Sequence, residues 1–251
     1  IDHRMEVDDK GWPTNGHESV ESWRTFDREC NRLQSIKHGD GRSEELDYLG
    51  ETHLITRHLY RDASEQIIRR EFNFYDHNHA LIQKVEDDGS STEFTNMEGV
   101  HLRRIVDIQP VEGDWGRHQP GTVVDKYLSA DTSHELCLSR QELTYSTEGW
   151  VRSQAVFDGE GNHRYTLEYR HDPHGNVVYE TTPLGHEILR SFDIYDNMLS
   201  EEYVQQGILV EMRYDPSNRM IVKSIQDNTE CRTTFFKYNP SGQVIAKTDH
   251  L

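Results

Sequence analysis

One seven-residue phrase recurs through this 251-residue chain and constrains its fold more than anything else in it. The phrase is an aromatic residue, Asp or Asn, two variable residues, then Gly, Asn or Asp, a polar residue and an aliphatic one. Clear copies are Tyr214-Asp215-Pro216-Ser217-Asn218-Arg219-Met220 and Tyr238-Asn239-Pro240-Ser241-Gly242-Gln243-Val244. His171-Asp172-Pro173-His174-Gly175-Asn176-Val177 carries His in the aromatic slot, and Phe192-Asp193-Ile194-Tyr195-Asp196-Asn197-Met198 carries Asp196 in the glycine slot. Looser copies start at Tyr75 (with Asp76), Tyr145 and Phe157 (with Asp158 and Gly161). Residues 26–33 and 60–67 fit with one residue extra. The aromatic starts at 171, 192, 214 and 238 lie 21, 22 and 24 residues apart, so the unit is a repeat of about 20 residues.

The phrase reads as a β-hairpin turn. Tyr165, Leu167 and Tyr169 alternate with Arg164, Thr166, Glu168 and Arg170 before one copy, and Val210, Met212 and Tyr214 alternate with Leu209, Glu211 and Arg213 before another. Period two is the signature of a strand. A turn Asp or Asn can accept bonds from amides two residues on. The Gly, Asn or Asp slot suits positive φ, and Pro173, Pro216 and Pro240 pre-set φ at the first corner. Gly175 is therefore expected to matter through its backbone alone, with Asn tolerated there. The expected fold class is all-β, at least about 40% strand, built of repetitive antiparallel hairpins in a single-layer strip.

These phrases resemble the YD repeat of bacterial Rhs (rearrangement hotspot) proteins, which also occurs in toxin-complex C subunits and animal teneurins. The stretch His171 to Gly185, closing on Pro183-Leu184-Gly185, is very like the standard repeat. The resemblance is strong over 157–251, fair over 20–90 and weak over 91–144. It implies a β-strip coiled into a hollow shell that encloses a toxic C-terminal domain. It also implies partners: the remainder of a longer polypeptide and an encapsulated toxin domain. Localisation would be secreted, cell-surface or on a bacterial delivery system.

Composition agrees with a thin sheet. Hydrophobic residues make up only 33%, yet 4 Trp, 12 Tyr and 8 Phe are too many for a disordered chain. A sheet with two accessible faces buries little and is stabilised by cross-strand pairs. The net charge of −18 argues against nucleic acid, which needs a basic footprint, and against anionic membrane surfaces. No apolar run reaches membrane-span length. The charged start, Ile1-Asp2-His3-Arg4, lacks an initiator Met and is expected to be internal to a longer polypeptide. Cys30, Cys137 and Cys231 are odd in number and far apart, so free thiols are expected.

Four segments follow. Residues 1–20 are polar and expected to be poorly ordered; 21–90 hold degenerate repeats; 91–144 read as an irregular insertion; 145–251 hold the main array. Within the insertion, 109–121 has three glycines and two prolines and reads as a long loop. Residues 127–129 and 135–138 read as two strands around Ala130-Asp131-Thr132-Ser133, with a helix over 134–144 as the alternative.

Few residues suggest chemistry. The 15 histidines show no metal-ligand spacing: His-Glu at 17–18, 134–135 and 186–187 lacks a second His, and His77 and His79 sit in a turn. Glu86-Asp87-Asp88-Gly89 is the densest acidic run, but no EF-hand spacing follows it, and turn acidity is the simpler reading. A carboxylate repeated once per unit argues for structure, because a glycosidase needs one dyad. No Gly-x-Ser-x-Gly or P-loop is present. The self-cleavage site of toxin-releasing Rhs proteins contains Asp-Pro-x-Gly; Asp172-Pro173-His174-Gly175 has that skeleton but sits mid-array, which makes it a repeat turn. The expected role is therefore a non-enzymatic, cofactor-free shell segment. Its structural turn residues are Asp76, Asp158, Gly161, Asp172, Gly175, Asp193, Asp196, Asp215, Asn218, Asn239 and Gly242. The alternative is a carbohydrate- or protein-binding repeat module, with Tyr165, Tyr169, Tyr214 and Tyr238 as stacking candidates against a reading of them as cross-strand packing.

Overall fold

The computed structural model describes residues 2–3, 19–20, 22–113, 118–129 and 134–250. It is all-β: the described residues contain no helix, and over half of the chain is strand. Strands β1 (Asp2–His3) and β2 (Ser19–Val20) form a short antiparallel pair. Eighteen further strands follow. They are β3 (Trp23–Phe26), β4 (Leu33–Lys37), β5 (Ser43–Tyr48), β6 (Ile55–Arg61), β7 (Ile67–Tyr75), β8 (Leu81–Asp87), β9 (Leu102–Glu112), β10 (His118–Ser129) and β11 (Leu136–Tyr145). Then come β12 (Val151–Asp158), β13 (His163–His171), β14 (Val177–Thr181), β15 (Glu187–Phe192), β16 (Met198–Tyr203), β17 (Ile208–Tyr214), β18 (Met220–Gln226), β19 (Cys231–Tyr238) and β20 (Val244–His250). From β3 to β9, and from β12 to β20, each strand pairs antiparallel with the next. Strands β10, β11 and β12 continue the same order.

The chain divides into two compact units, Ile1–Val111 with Thr122–Arg140, and Glu112–Gly121 with Gln141–Leu251. In the first, Phe72, Val85 and Ile105, from three neighbouring strands, form a buried apolar cluster under Phe74 and Phe94. Phe94 belongs to the 88–101 connection between β8 and β9. Three arginines hold that connection in place, Arg57 through the Thr92 carbonyl (3.3 Å) and two buried ones more extensively. The Arg70 guanidinium, fully buried, donates to the carbonyls of Ser91 (2.7 Å), Glu93 (3.0 Å) and Asn96 (3.1 Å), and Arg103 donates to Phe94 (2.9 Å). Asp87, also buried, is shared between them as a counter-charge: Arg70 Nε lies 2.6 Å and Arg103 Nε 2.8 Å from its carboxylate.

The second unit buries less. Only Ile188, Val210 and Met212 are buried apolar residues among its described part. Along β13, half-buried Tyr165, Leu167, Tyr169 and His171 alternate with exposed Arg164, Thr166, Glu168 and Arg170. Cross-strand pairs supply the cohesion: Arg190 bridges Glu180 (2.7 Å) and Glu201 (2.9 Å), and the Ser191 and Ser200 hydroxyls meet at 2.5 Å.

Two expectations are corrected. Within 109–121, expected to be a long loop, residues 109–112 and 118–121 are strand, because β9 runs to Glu112 and β10 starts at His118; 114–117 lie outside the described residues. Proline removes an N–H from a strand but leaves its carbonyl usable, and the Pro120 carbonyl accepts the Tyr145 hydroxyl at 2.7 Å. Nor is 91–144 irregular throughout: β9, β10 and β11 are the longest run of strands in the chain, and 134–144 contributes strand, not helix. Residues 130–133 and most of the polar segment 1–20 lie outside the described residues. The three cysteines are free, with Cys231 exposed.

Candidate functional site

The recurrent turns share one hydrogen-bonding pattern. At Asp172, the backbone N–H bonds the Asn176 carbonyl, and the Gly175 N–H bonds the Asp172 carbonyl, each at 3.0 Å. One carboxylate oxygen accepts the N–H groups of His174 (2.9 Å) and Asn176 (3.0 Å). This is a three-residue hairpin loop, with a left-handed residue third and a register shift at its mouth. The same bonds recur at Asp76, Asp158, Asp193 and Asp215. At Asn239 the side-chain oxygen accepts from Gln243. The slot three residues on has positive φ at Gly161, Gly175, Asp196, Asn218 and Gly242.

These bonds fix the charge state of the turns. Asn176 donating its side-chain N–H holds the Asp172 carboxyl below its ordinary range, Asn197 does so for Asp193, and the Arg219 guanidinium for Asp215. Asp158 is lowered mainly by the Asn162 amide, and Asp196 by the Asn176 side chain and then His174.

Turns on the β13–β14 side are also joined to each other. The Asn176 side chain donates to Asp196 (2.8 Å), Asn197 donates to Asn218 (3.1 Å), and Arg219 donates to the Asn239 carbonyl (3.3 Å). Four successive turns are thereby stitched in a row.

The aromatic slot adds a second lacing, which the sequence reading missed. Tyr214 donates its hydroxyl to the Met198 carbonyl (2.9 Å), and Tyr238 donates to Met220 (2.7 Å). Each acceptor is the first strand residue after the preceding turn. In the first unit Tyr48 bonds Leu33 (2.7 Å) and Tyr75 bonds Ile55 (3.0 Å), the first residues of β4 and β6, and Tyr145 bonds Pro120, the third residue of β10. Burial pushes the Tyr75, Tyr145 and Tyr214 hydroxyls up, so they keep the proton they donate. The signal in the sequence was the preference for Tyr over Phe in a slot where packing alone would accept either.

Sequence reading also missed turns. His38–Arg42 and Thr182–His186 close with the same backbone bonds, as do the Asp62–Gln66 and Ser146–Trp150 turns that the looser copies of the phrase mark. Ser and Thr hydroxyls replace the carboxylate at Ser146 and Thr182. The Pro183-Leu184-Gly185 stretch is thus a turn of its own, at the opposite ends of the strands from the Asp172 turn. The Asp158 turn shares that opposite side.

Gly175 corrects an expectation. A Cβ there would sit 3.2 Å from the Trp150 ring, whereas nothing lies within 4 Å of a Cβ at Gly161 or Gly242. Gly175 therefore gives room as well as backbone freedom. Tyr169 lines the same groove as Trp150, and Trp150 packs on His171 at 5.4 Å. Tyr165 is half-buried in mid-strand.

The carboxylates of the acidic run around Asp87 are engaged by protein groups. Asp87 is consumed by Arg70 and Arg103, and Asp88 caps the His101 (2.8 Å) and Leu102 (3.3 Å) amides. Burial opposes ionisation of Asp88, but these bonds outweigh it and lower its carboxyl. Among the described residues, no three His, Cys, Asp or Glu side chains are grouped to hold a metal.

No family model matches the chain, and no curated protein matches it. Solved structures do. The chain is similar to part of the crystal structure of TcdB2-TccC3-TEV, with 12% identity, TM-score 0.46, and coverage of 95% of this chain and 13% of that one. It is similar to TcdB2-TccC3 (13% identity, TM-score 0.29, 98% and 20%) and to a Photorhabdus luminescens Tc holotoxin pore (12%, 0.27, 92% and 18%). The chain thus spans a fifth or less of the length of these structures.

Proposed function

We propose that this chain is a wall segment of an Rhs-type β-shell that scaffolds or encloses a toxin or effector domain of the same, longer polypeptide. The carrying observation is the double lacing of the turns, by side-chain amides from turn to turn and by tyrosine hydroxyls across neighbouring strands. A wall needs cohesion along its length and no deep core, and lacing supplies the first where burial cannot. The role is not catalytic on this reading, because the repeated carboxylates are occupied by their own turns. The protein would be secreted, on the cell surface or loaded on a bacterial delivery system.

The test is protease protection in the product of the full parent reading frame. A cargo region digested far more slowly in the intact protein than when expressed alone supports a container. Equal digestion rates sink it. The second reading, a binding module, is favoured by aromatic-lined grooves between turns. Of the four tyrosines expected to stack, Tyr169 and Tyr214 line these grooves and Tyr165 and Tyr238 do not.

A further inference from the structure

Three grooves open between consecutive turns of the second unit, at 145–150 and 169–173, at 172–174 and 192–195, and at 193–199 and 212–218. They enclose ≈ 690, ≈ 400 and ≈ 430 Å³. They are contiguous: the first two share Asp172 and Pro173, and the last two share Asp193 and Tyr195. Each is aromatic-lined, by Tyr145, Trp150 and Tyr169 in the first, Phe192 and Tyr195 in the second, and Tyr195 and Tyr214 in the third. Ile194 and Tyr195, at the tip of the Asp193 turn, are 77% and 66% exposed.

Spacing selects the ligand. Successive grooves are two strands apart, about 9.6 Å at the usual inter-strand distance. A polyproline II helix repeats every three residues at about 3.1 Å each, or about 9.3 Å. A β-strand presents one face every 6.6–6.8 Å or so and an α-helix turns every 5.4 Å or so, and neither keeps step. Aromatic-lined grooves are the known physical match for a pre-extended proline-rich chain, which loses little entropy on binding.

Charge selects further. The central groove holds Asp172 and Asp193 with His174, and no Lys or Arg. The first groove has Arg152 and Arg170 against Glu148 and Asp172, and the third has Arg213 against Asp193 and Asp215. We propose that the row of three grooves binds a proline-rich segment in the polyproline II conformation, one residue in three entering each groove and the central one basic.

The experiment is calorimetric titration of the whole chain with three nine-residue peptides: PPLPPRPPL, its flexible counterpart GGLGGRGGL, and PPLPPEPPL. The first should bind, with the second and third weaker by about tenfold or more, since pre-organisation and the central charge are lost. Tyr195→Ala removes a wall of two grooves from an exposed side chain, and should weaken the first peptide about tenfold with the urea midpoint unchanged. No binding of the first peptide, equal binding of the proline and glycine peptides, or indifference to Tyr195→Ala would each overturn the proposal.

Discussion

The Tyr238 hydroxyl reaches back 18 residues to donate to the Met220 carbonyl at 2.7 Å, which ties the strand entering one turn to the strand leaving the turn before. Tyr214 and Met198 repeat the relationship one unit earlier. The hydroxyl turns a packing residue into a fastener between repeats.

Tyr238→Phe should therefore destabilise by about 0.5–1.5 kcal/mol, the net worth of one hydrogen bond. Tyr165 makes no such bond, so Tyr165→Phe should be close to neutral. Phe192 occupies the same slot without a hydroxyl, and Phe192→Tyr should add a bond to the carbonyl at the start of β14. Urea midpoints of the three variants check the set; a loss at Tyr165 equal to that at Tyr238 would remove the lacing from the account.

Glycine positions in the turns should separate by their neighbours. Gly242→Asn meets open space, and Asn tolerates the left-handed backbone there, so a few tenths of a kcal/mol is the expected cost. Gly175→Asn must also displace the Trp150 ring and should cost about 1–3 kcal/mol. Thermal denaturation, with tryptophan fluorescence reporting the displaced ring, distinguishes the two.

In the first unit, Asp87→Asn leaves Arg70 and Arg103 buried without a counter-charge and should cost about 3–5 kcal/mol. Gly89→Ala reaches the same place from the other side, because its Cβ would fall 2.4 Å from Arg70 Nη2. Both should release the 88–101 connection, read as faster hydrogen exchange at Ile105 and Val85. Slow exchange there in either variant would show that the connection is held by other means.

Acid should loosen the array before neutral pH does. The carboxyls of Asp172, Asp193 and Asp215 are lower in the folded chain than unfolded, so the folded state binds protons less readily. Their contribution is complete above the ordinary Asp value of about 3.9 and is lost as pH falls below it. Asp215→Asn should flatten that decline, as Asn239 already makes the turn without a titrating group. Chemical denaturation at pH 7 and pH 3 measures the difference. A decline just as steep in the variant would mean that other carboxylates set the acid limit.

The turns were legible from sequence because everything that defines them is local. Asp172 bonds amides two and four residues on, and Asn176 and Gly175 complete the loop within five residues. Alternation along β13 is equally local, so strand type and hairpin order could be read from the residues themselves. Where turn chemistry varied, as Thr182 and His38 show, the same backbone loop escaped notice. Composition misled at 109–121, where Pro110, Pro120 and Gly121 suggested a loop inside two strands. Tertiary structure alone decided which carbonyl each tyrosine meets, that Trp150 presses on Gly175, and that Arg70 and Arg103 share Asp87. Those partners lie 15 to 25 residues apart in the chain. Only the pairing register brings them within bonding distance, and a slip of one residue would turn each side chain to the other face.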